Sequence, residues 1–409
     1  MGKRLLALLL MLVLLPQTAL GGVAVRLTAG ESDVLSAGAL RALSQWLEQA
    51  QLFVNAKENA QEVALRYGEE DLLAAVLLNG EGALCMGGAA VPLTVSQQSL
   101  EDLPAQLLGM AAQMGETLAA YEKKANATAE LGGVVKAKTQ LTYALSAQQW
   151  AEMWPQICAV LGVAEDAFAV ESKATVRRYF AADGSEIGAY FYAEKVRVAP
   201  DDVREVRLEY GCQENQGLYL AFRCPNKNET RNVRISLTAK RSERTDRVNY
   251  TVNGDIRIKA DKNQDTLLLE ASLKEADGRL SGKTTVNYTQ KRSDQSTKYA
   301  LDLKPDVMLA PLGGTVAYAF DAAGQRVLAG DMHLAQAAEK EIVLPAVYTD
   351  DAHLTKQLTR ALYNTLLEME AEDRLELIYY LNRPAYLVGE ETDIELGYDP
   401  EFTVTEVPE

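Results

Sequence analysis

Two histidines, four cysteines and 57 acidic side chains are the groups in this 409-residue chain that could carry catalysis or hold a metal. His333 and His353 stand twenty residues apart, and neither has a Cys, Asp or Glu at the spacing of a metal-ligand set. Both read as surface or capping histidines, one in a strand and one in a helix. Cys85, Cys158, Cys212 and Cys224 include no C-x-x-C. The chain has no H-E-x-x-H, G-x-S-x-G, S-x-x-K or phosphate-binding P-loop, and no G-x-G-x-x-G opening a helix. Asp261, Asn263 and Asp265 open like a calcium loop, but Thr266 stands where glycine is needed and Ser272 where the bidentate Glu belongs. A plain hairpin loop is expected there. Paired carboxylates for glycoside hydrolysis are set by fold rather than spacing. With three tryptophans, two in one predicted helix, sugar-stacking surface is scarce, so a secreted hydrolase ranks last. No catalytic residue, metal or cofactor is assigned.

The first 22 residues have the form of an export signal. Lys3 and Arg4 precede an unbroken apolar run from Leu5 to Leu15, Pro16 ends it, and Ala19-Leu20-Gly21 offers small residues before a cut near Gly21. Eleven apolar residues fall short of the roughly 18 to 20 that span a bilayer, so a signal peptide is expected rather than an anchor. The expected address is the cell envelope or the exterior, with the processed chain soluble and without a transmembrane segment. A formal net charge of −16 argues against general nucleic-acid binding, whose affinity comes from neutralising phosphates. Export permits disulfides, and the positions of the four cysteines favour Cys85 with Cys158 and Cys212 with Cys224, although a Gln213–Gly217 loop would not set the latter two directly opposite; small buried thiols are the alternative. Asn126, Asn228, Asn249 and Asn287 each begin an N-x-Thr acceptor pattern.

Elements that must position any site follow from periodicity. The fold class expected is α+β. A smaller mixed helix and strand unit (24–165) precedes a long antiparallel meander (170–345), a covering helix region (346–385) and an acidic tail (389–409). In the first unit Leu40, Leu43, Leu47, Ala50 and Val54 recur at helical spacing. Glu62–Tyr67 and Asp71–Asn79 are apolar runs, with hairpin signals at Asn79-Gly80 and Gly87-Gly88. A second helix is written by Leu103, Leu107, Met110, Met114, Leu118 and Tyr121. Residues 135–145 alternate as a half-buried strand, and Ser146-Ala-Gln-Gln149 is a capping box before a helix bearing Trp150.

The second unit alternates cleanly. Val233, Ile235, Leu237 and Ala239 are interleaved with Arg234, Ser236, Thr238 and Lys240. Val248, Tyr250, Val252, Ile256 and Ile258 face away from Asn249, Thr251, Asn253, Asp255, Arg257 and Lys259. Tyr299, Leu301 and Leu303 repeat the pattern. Turn clusters at Asp183-Gly184, 226–228, 262–264, Asp277-Gly278 and Gly313-Gly314 divide roughly ten strands. Phe180–Ile187 and Phe320–Val327 share F-x-x-x-G-x-x-[I/V], the mark of two similar hairpins. A sheet with one apolar face needs cover, and Leu354, Leu358, Ala361, Leu362, Leu366 and Met369 write an amphipathic helix able to supply it. Whether 375–381 continues that helix or forms a strand is open. Residues 231–298 carry fifteen Lys or Arg against nine Asp or Glu, whereas 351–409 carry four against fourteen. The basic sheet face is a candidate surface for an anionic envelope polymer, anionic headgroups or the chain's own tail.

A long meander with one apolar face and amphipathic covering helices resembles the open half-barrels of periplasmic lipoprotein carriers and mycobacterial lipid-binding lipoproteins. The resemblance lies in element order over about 170–370, without a diagnostic motif. It implies a curved sheet and helices enclosing a cavity for acyl chains, and it assigns no residue. This chain is about twice the size of a single carrier domain, and with no cysteine near the expected cut a lipid anchor is not expected. The leading expectation is a non-enzymatic module binding a lipid or another apolar ligand, with Tyr250, Val252, Ile256 and Tyr288 lining the cavity. The alternative is a structural, interaction or sensor protein of the envelope with a filled core.

Overall fold

Alternation at period two, sustained over strands of up to fifteen residues, builds one open antiparallel sheet. The computed structural model describes residues 22–93, 122–124, 128–152, 155, 169–349 and 364–381, less 58–59, 69, 80, 87–88, 200–201, 214–215, 294, 339–340, 346–348 and 368. Its backbone is a run of ten nearest-neighbour strands: β13 (Glu186–Ala199), β14 (Asp202–Gln213), β15 (Gly217–Pro225), β16 (Arg231–Arg244), β17 (Arg247–Ala260), β18 (Asn263–Ala276), β19 (Arg279–Arg292), β20 (Gln295–Leu309), β21 (Leu312–Ala322) and β22 (Gln325–Gln336). This is the expected meander.

Tight turns hold it in register. Asp277 and Gly278 both have positive φ (51° and 71°), the two-residue geometry whose twist suits long antiparallel strands. The two F-x-x-x-G segments are hairpins of the same kind, with Gly184 at φ 86° and Gly324 at 85°, and in both the register shifts beside the aromatic residue. Two turn positions differ from expectation. The chain reverses at Asp261-Lys262, leaving Gln264 in β18, and at Ala310-Pro311, leaving Gly313 and Gly314 inside β21.

The mixed first unit is not a separate layer: its strands extend the same sheet at both ends. β1 (Val23–Leu27) pairs with β22 on one side and with β2 (Ala50–Lys57) on the other. From β2 the sheet continues through β3 (Ala60–Tyr67), β4 (Glu70–Leu78), β5 (Glu81–Met86) and β6 (Ala89–Leu93). At the opposite end, β12 (Ala174–Phe180) joins β13, β10 (Thr139–Leu145) joins β12, and β7 (Glu122–Lys124) ends the series. The short β11 (Ala169–Val170) also pairs with β13. Among the described residues the sheet does not close into a barrel.

Several small elements stand off the sheet among the described residues. Helix α1 (Ala37–Gln49) is capped by Ser36, whose hydroxyl accepts from the Ala39 amide at 3.1 Å. It ends five residues before the expected limit at Val54, because residues 50–57 are held between β1 and β3 as a strand. The expected strand over 135–145 is likewise divided. β9 (Val135–Ala137) leaves the main sheet to pair with β8 (Ala129–Leu131), and Lys138 separates it from β10. The capping box is present in both directions, Gln149 N–H to Ser146 Oγ at 3.2 Å and Ser146 N–H to Gln149 Oε1 at 2.8 Å.

Helix α2 (Ala371–Leu381) settles 375–381 as helix. Met369 and Leu377 pack on Ala42 of α1, beside Leu43, Trp46 and Leu366, whereas the expected covering stripe from Leu354 to Leu362 lies outside the described residues. Arg41 forks onto Asp373 at 2.9 and 2.7 Å, and Trp46 Nε1 donates to Thr365 Oγ1 at 2.9 Å. Glu376 meets both Ser36 and the Ala39 amide, placing a carboxylate at the positive end of α1. The predicted signal peptide, the helix over 103–121, residues 350–363 and the acidic tail lie outside the described residues.

The β8–β9 hairpin lies on the polar face of the sheet over β12–β15. Leu131, Val135 and Ala137 bury against Tyr179 and Ile187. The fit depends on Gly188 and Gly211, which are cross-strand partners and leave a bare patch beneath Leu131. A Cβ at Gly211 would sit 2.5 Å from Leu131 Cδ1. Gly211→Ala is therefore expected to destabilise by about 1–3 kcal/mol, the usual cost of overpacking. A urea midpoint measures it. Combining it with Leu131→Ala should cost less than the sum of the two single changes; strict additivity would show that the contact does not carry the effect.

Candidate functional site: an apolar strip on one sheet face

In the ladder the apolar residues line up across strands. One row runs Phe222, Ile235, Ile256, Leu267, Tyr288 and Tyr299, each in register with the next. A second runs Leu220, Leu237, Gly254, Leu269, Val286, Leu301 and Phe320. A third contains Leu218, Ala239, Val252, Ala271, Thr284, Leu303 and Tyr318. Seven strands at about 4.8 Å spacing make the strip roughly 29 Å across, and Leu267 to Leu273 extends it about 20 Å along the strands. That footprint, roughly 580 Å², is at the upper end of the about 300–600 Å² of the largest apolar patch on an ordinary monomer.

The two ends of this face are covered. At one end Trp46 of α1 stacks on Tyr67 at 5.7 Å, with Ala50, Leu65 and Leu72 beneath. Val23, Val25, Leu52 and Val54 continue the face from there to Leu334 and Val316. At the other end Trp150 meets Phe191 at 4.7 Å, over Tyr143, Leu145, Val176 and Ala193. Between these ends the side chains of the three rows are half-buried, Ala271 apart, and no core cluster forms over them among the described residues. The four predicted lining residues all belong here. Ile256 and Tyr288 share one row, Val252 sits in the third, and Tyr250 lies at a margin.

Both margins are polar. At one, Tyr288 donates to Asp265 Oδ1 at 2.8 Å, Arg292 reaches the same carboxylate at 2.9 Å, and Tyr299 stacks on Tyr288 at 5.7 Å. Burial pushes the Asp265 carboxyl up, but the hydrogen bonds from Arg292 and Tyr288 outweigh it and hold it below the ordinary range. Asp265 is thus a strand residue with its oxygens engaged, as a plain hairpin requires. At the other margin Tyr250 donates to Glu275 Oε2 at 2.8 Å, and Arg241 pairs with Glu243 at 2.8 Å. Burial, then the bond to Glu275, raises the Tyr250 hydroxyl.

The expected Cys212–Cys224 disulfide is corrected: both are free thiols. Cys212 lies opposite Leu218, six residues along β15 from Cys224, or about 20 Å, far beyond disulfide reach. Cys85 is also free, and its expected partner Cys158 lies outside the described residues, as does His353. His333 is in β22, a strand as expected, opposite Arg26 and Thr315. Among the described residues no three His, Cys, Asp or Glu side chains gather to hold a metal, and no helix is long and apolar enough to cross a membrane.

Leucines 220, 237, 267 and 269, with Phe222 and Phe320, line the strip without having been named as lining residues from sequence. Their alternation was visible, but their place in common rows depends on register. No family model, curated protein or solved structure matches this chain.

The Asp265 margin has a pH signature. A carboxyl whose folded value lies below its unfolded value, near 3.9, adds stability above that pH and loses it as pH falls through the folded value. Urea midpoints from pH 6 to pH 2 should fall less steeply for Asp265→Asn than for the parent. Parallel curves would mean that Asp265 contributes nothing to the acid limb.

Proposed function

We propose that this chain is an exported, non-enzymatic binding protein that holds a lipid or another elongated apolar molecule on the strip across β15–β21. One observation carries the reading: three apolar rows stay in register over seven strands, capped at both ends of the face and half-buried between. The polar margins suit an amphiphile. Asp265 with Arg292, and Arg241 with Glu243 and Glu275, offer charged groups to a headgroup while the rows take the chain. Burying even 300 Å² of apolar ligand and protein surface is worth roughly 7 kcal/mol before the cost of association. The leader-like residues 1–22 support an address where such ligands are handed between membranes or surfaces.

Native mass spectrometry of protein purified from its own host tests this. A lipid-sized adduct is expected on the parent. Leu269→Glu, which sets a charge at the middle of the second row, should abolish the adduct while leaving the far-ultraviolet circular dichroism unchanged. A parent protein that is free of adduct and binds no added fatty acid or phospholipid would favour the filled, structural role instead.

A further inference from the structure

The opposite face carries an unusual row of its own. Arg207, Arg223, Arg234 and Arg257, on four successive strands, are direct cross-strand partners. The row continues through Thr266 and Thr289 to Lys298, and Lys259 and Lys291 stand in the adjacent row beside Asn232 and Gln264. All seven basic side chains are exposed. Like charges set directly opposite one another oppose strand pairing, so folding alone does not favour this arrangement.

Intramolecular pairing leaves much of the charge available. Arg223 meets Glu229 at 2.6 Å, Arg257 meets Asp255 at 2.8 Å, and Arg207 lies 3.8 Å from Glu205 and over the Tyr192 ring. Among the described residues Arg234, Lys259, Lys291 and Lys298 have no ion pair. At strand spacing the four guanidinium stems span about 14 Å in a straight line. The β8–β9 hairpin stands two rows away, over Gly188 and Gly211, and bounds the row on that side.

We infer that this row binds a linear polymer of repeating phosphates. Guanidinium groups engage phosphate oxygens two at a time, and a straight file of them matches a chain of anions better than a single one. A bilayer surface would call for a broad patch with exposed apolar anchors, whereas Leu268, one row away on this face, is half-buried. Nucleic acid would call for aromatic platforms, and Tyr192 is already covered by Arg207.

The test measures binding of the full chain to inorganic polyphosphate by calorimetry across a salt series. Binding should weaken with a log–log slope near −3 for four contacts at about −0.7 each. Arg234→Gln with Arg257→Gln should weaken it at least tenfold. Lys240→Gln with Lys274→Gln, an equal charge change several rows away on the same face, should alter it less than twofold. Equal losses in both double variants would reduce the effect to net charge and overturn the proposal. So would binding of similar strength to oligo(dT) or to anionic phosphatidylglycerol vesicles. Binding that appears only once residues 389–409 are removed would assign the row to the chain's own acidic tail, and would equally overturn it.

Discussion

Register is the constraint on which the structure rests. Side chains alternate between faces with a period of two, so a slip of one residue anywhere between β13 and β22 would move a whole strand's apolar set to the other side. Tight turns such as Asp277-Gly278 and Ala323-Gly324 remove that freedom by fixing each strand against the last. Two surfaces of opposite character follow from one ladder. The apolar rows and the arginine row are the same strands seen from two sides, and neither could be displaced without displacing the other.

The short β1 is where this economy is most exposed. Its five residues pair with β22 on one edge and three of them with β2 on the other, and so join the long meander to the N-terminal strands. Val23 and Val25 are buried there against Leu334, Leu52 and Val54. The same junction sets α1 over the apolar face, because the helix runs directly into β2 at Ala50. Cover at this end therefore comes from chain connectivity, and α2 is committed to α1 through Arg41–Asp373 and Glu376 rather than to the sheet. Of the elements expected to roof the meander, the described part of the C-terminal helix shields another helix.

Much of the architecture was legible. The alternation around Val233–Ala239 and Val248–Ile258 marked strands and their apolar side, the Ser146–Gln149 box marked a helix start, and both F-x-x-x-G segments marked hairpins. Tyr250, Val252, Ile256 and Tyr288 share one face of the sheet. What failed did so where long-range pairing overrode a local pattern. Ala50 and Val54 fit a helical stripe, yet two flanking strands claim them. Cys212 and Cys224 flank a hairpin whose loop at 213–217 already told against direct pairing, and the ladder leaves them offset. Gly313 and Gly314 resemble a turn, whereas Ala310-Pro311 makes it.

By itself the sequence determined most of the strands and their apolar sides, because each of these is a property of neighbours within one segment. Only the tertiary structure decided that the N-terminal segment is divided between the two ends of a single sheet. It alone set Ile256 beside Leu267 and Tyr288, and brought Arg207, Arg223, Arg234 and Arg257 into one file. Those four arginines are separated by sixteen, eleven and twenty-three residues along the chain. No local rule relates such distances; hydrogen-bond register does, and it exists only once the strands have paired.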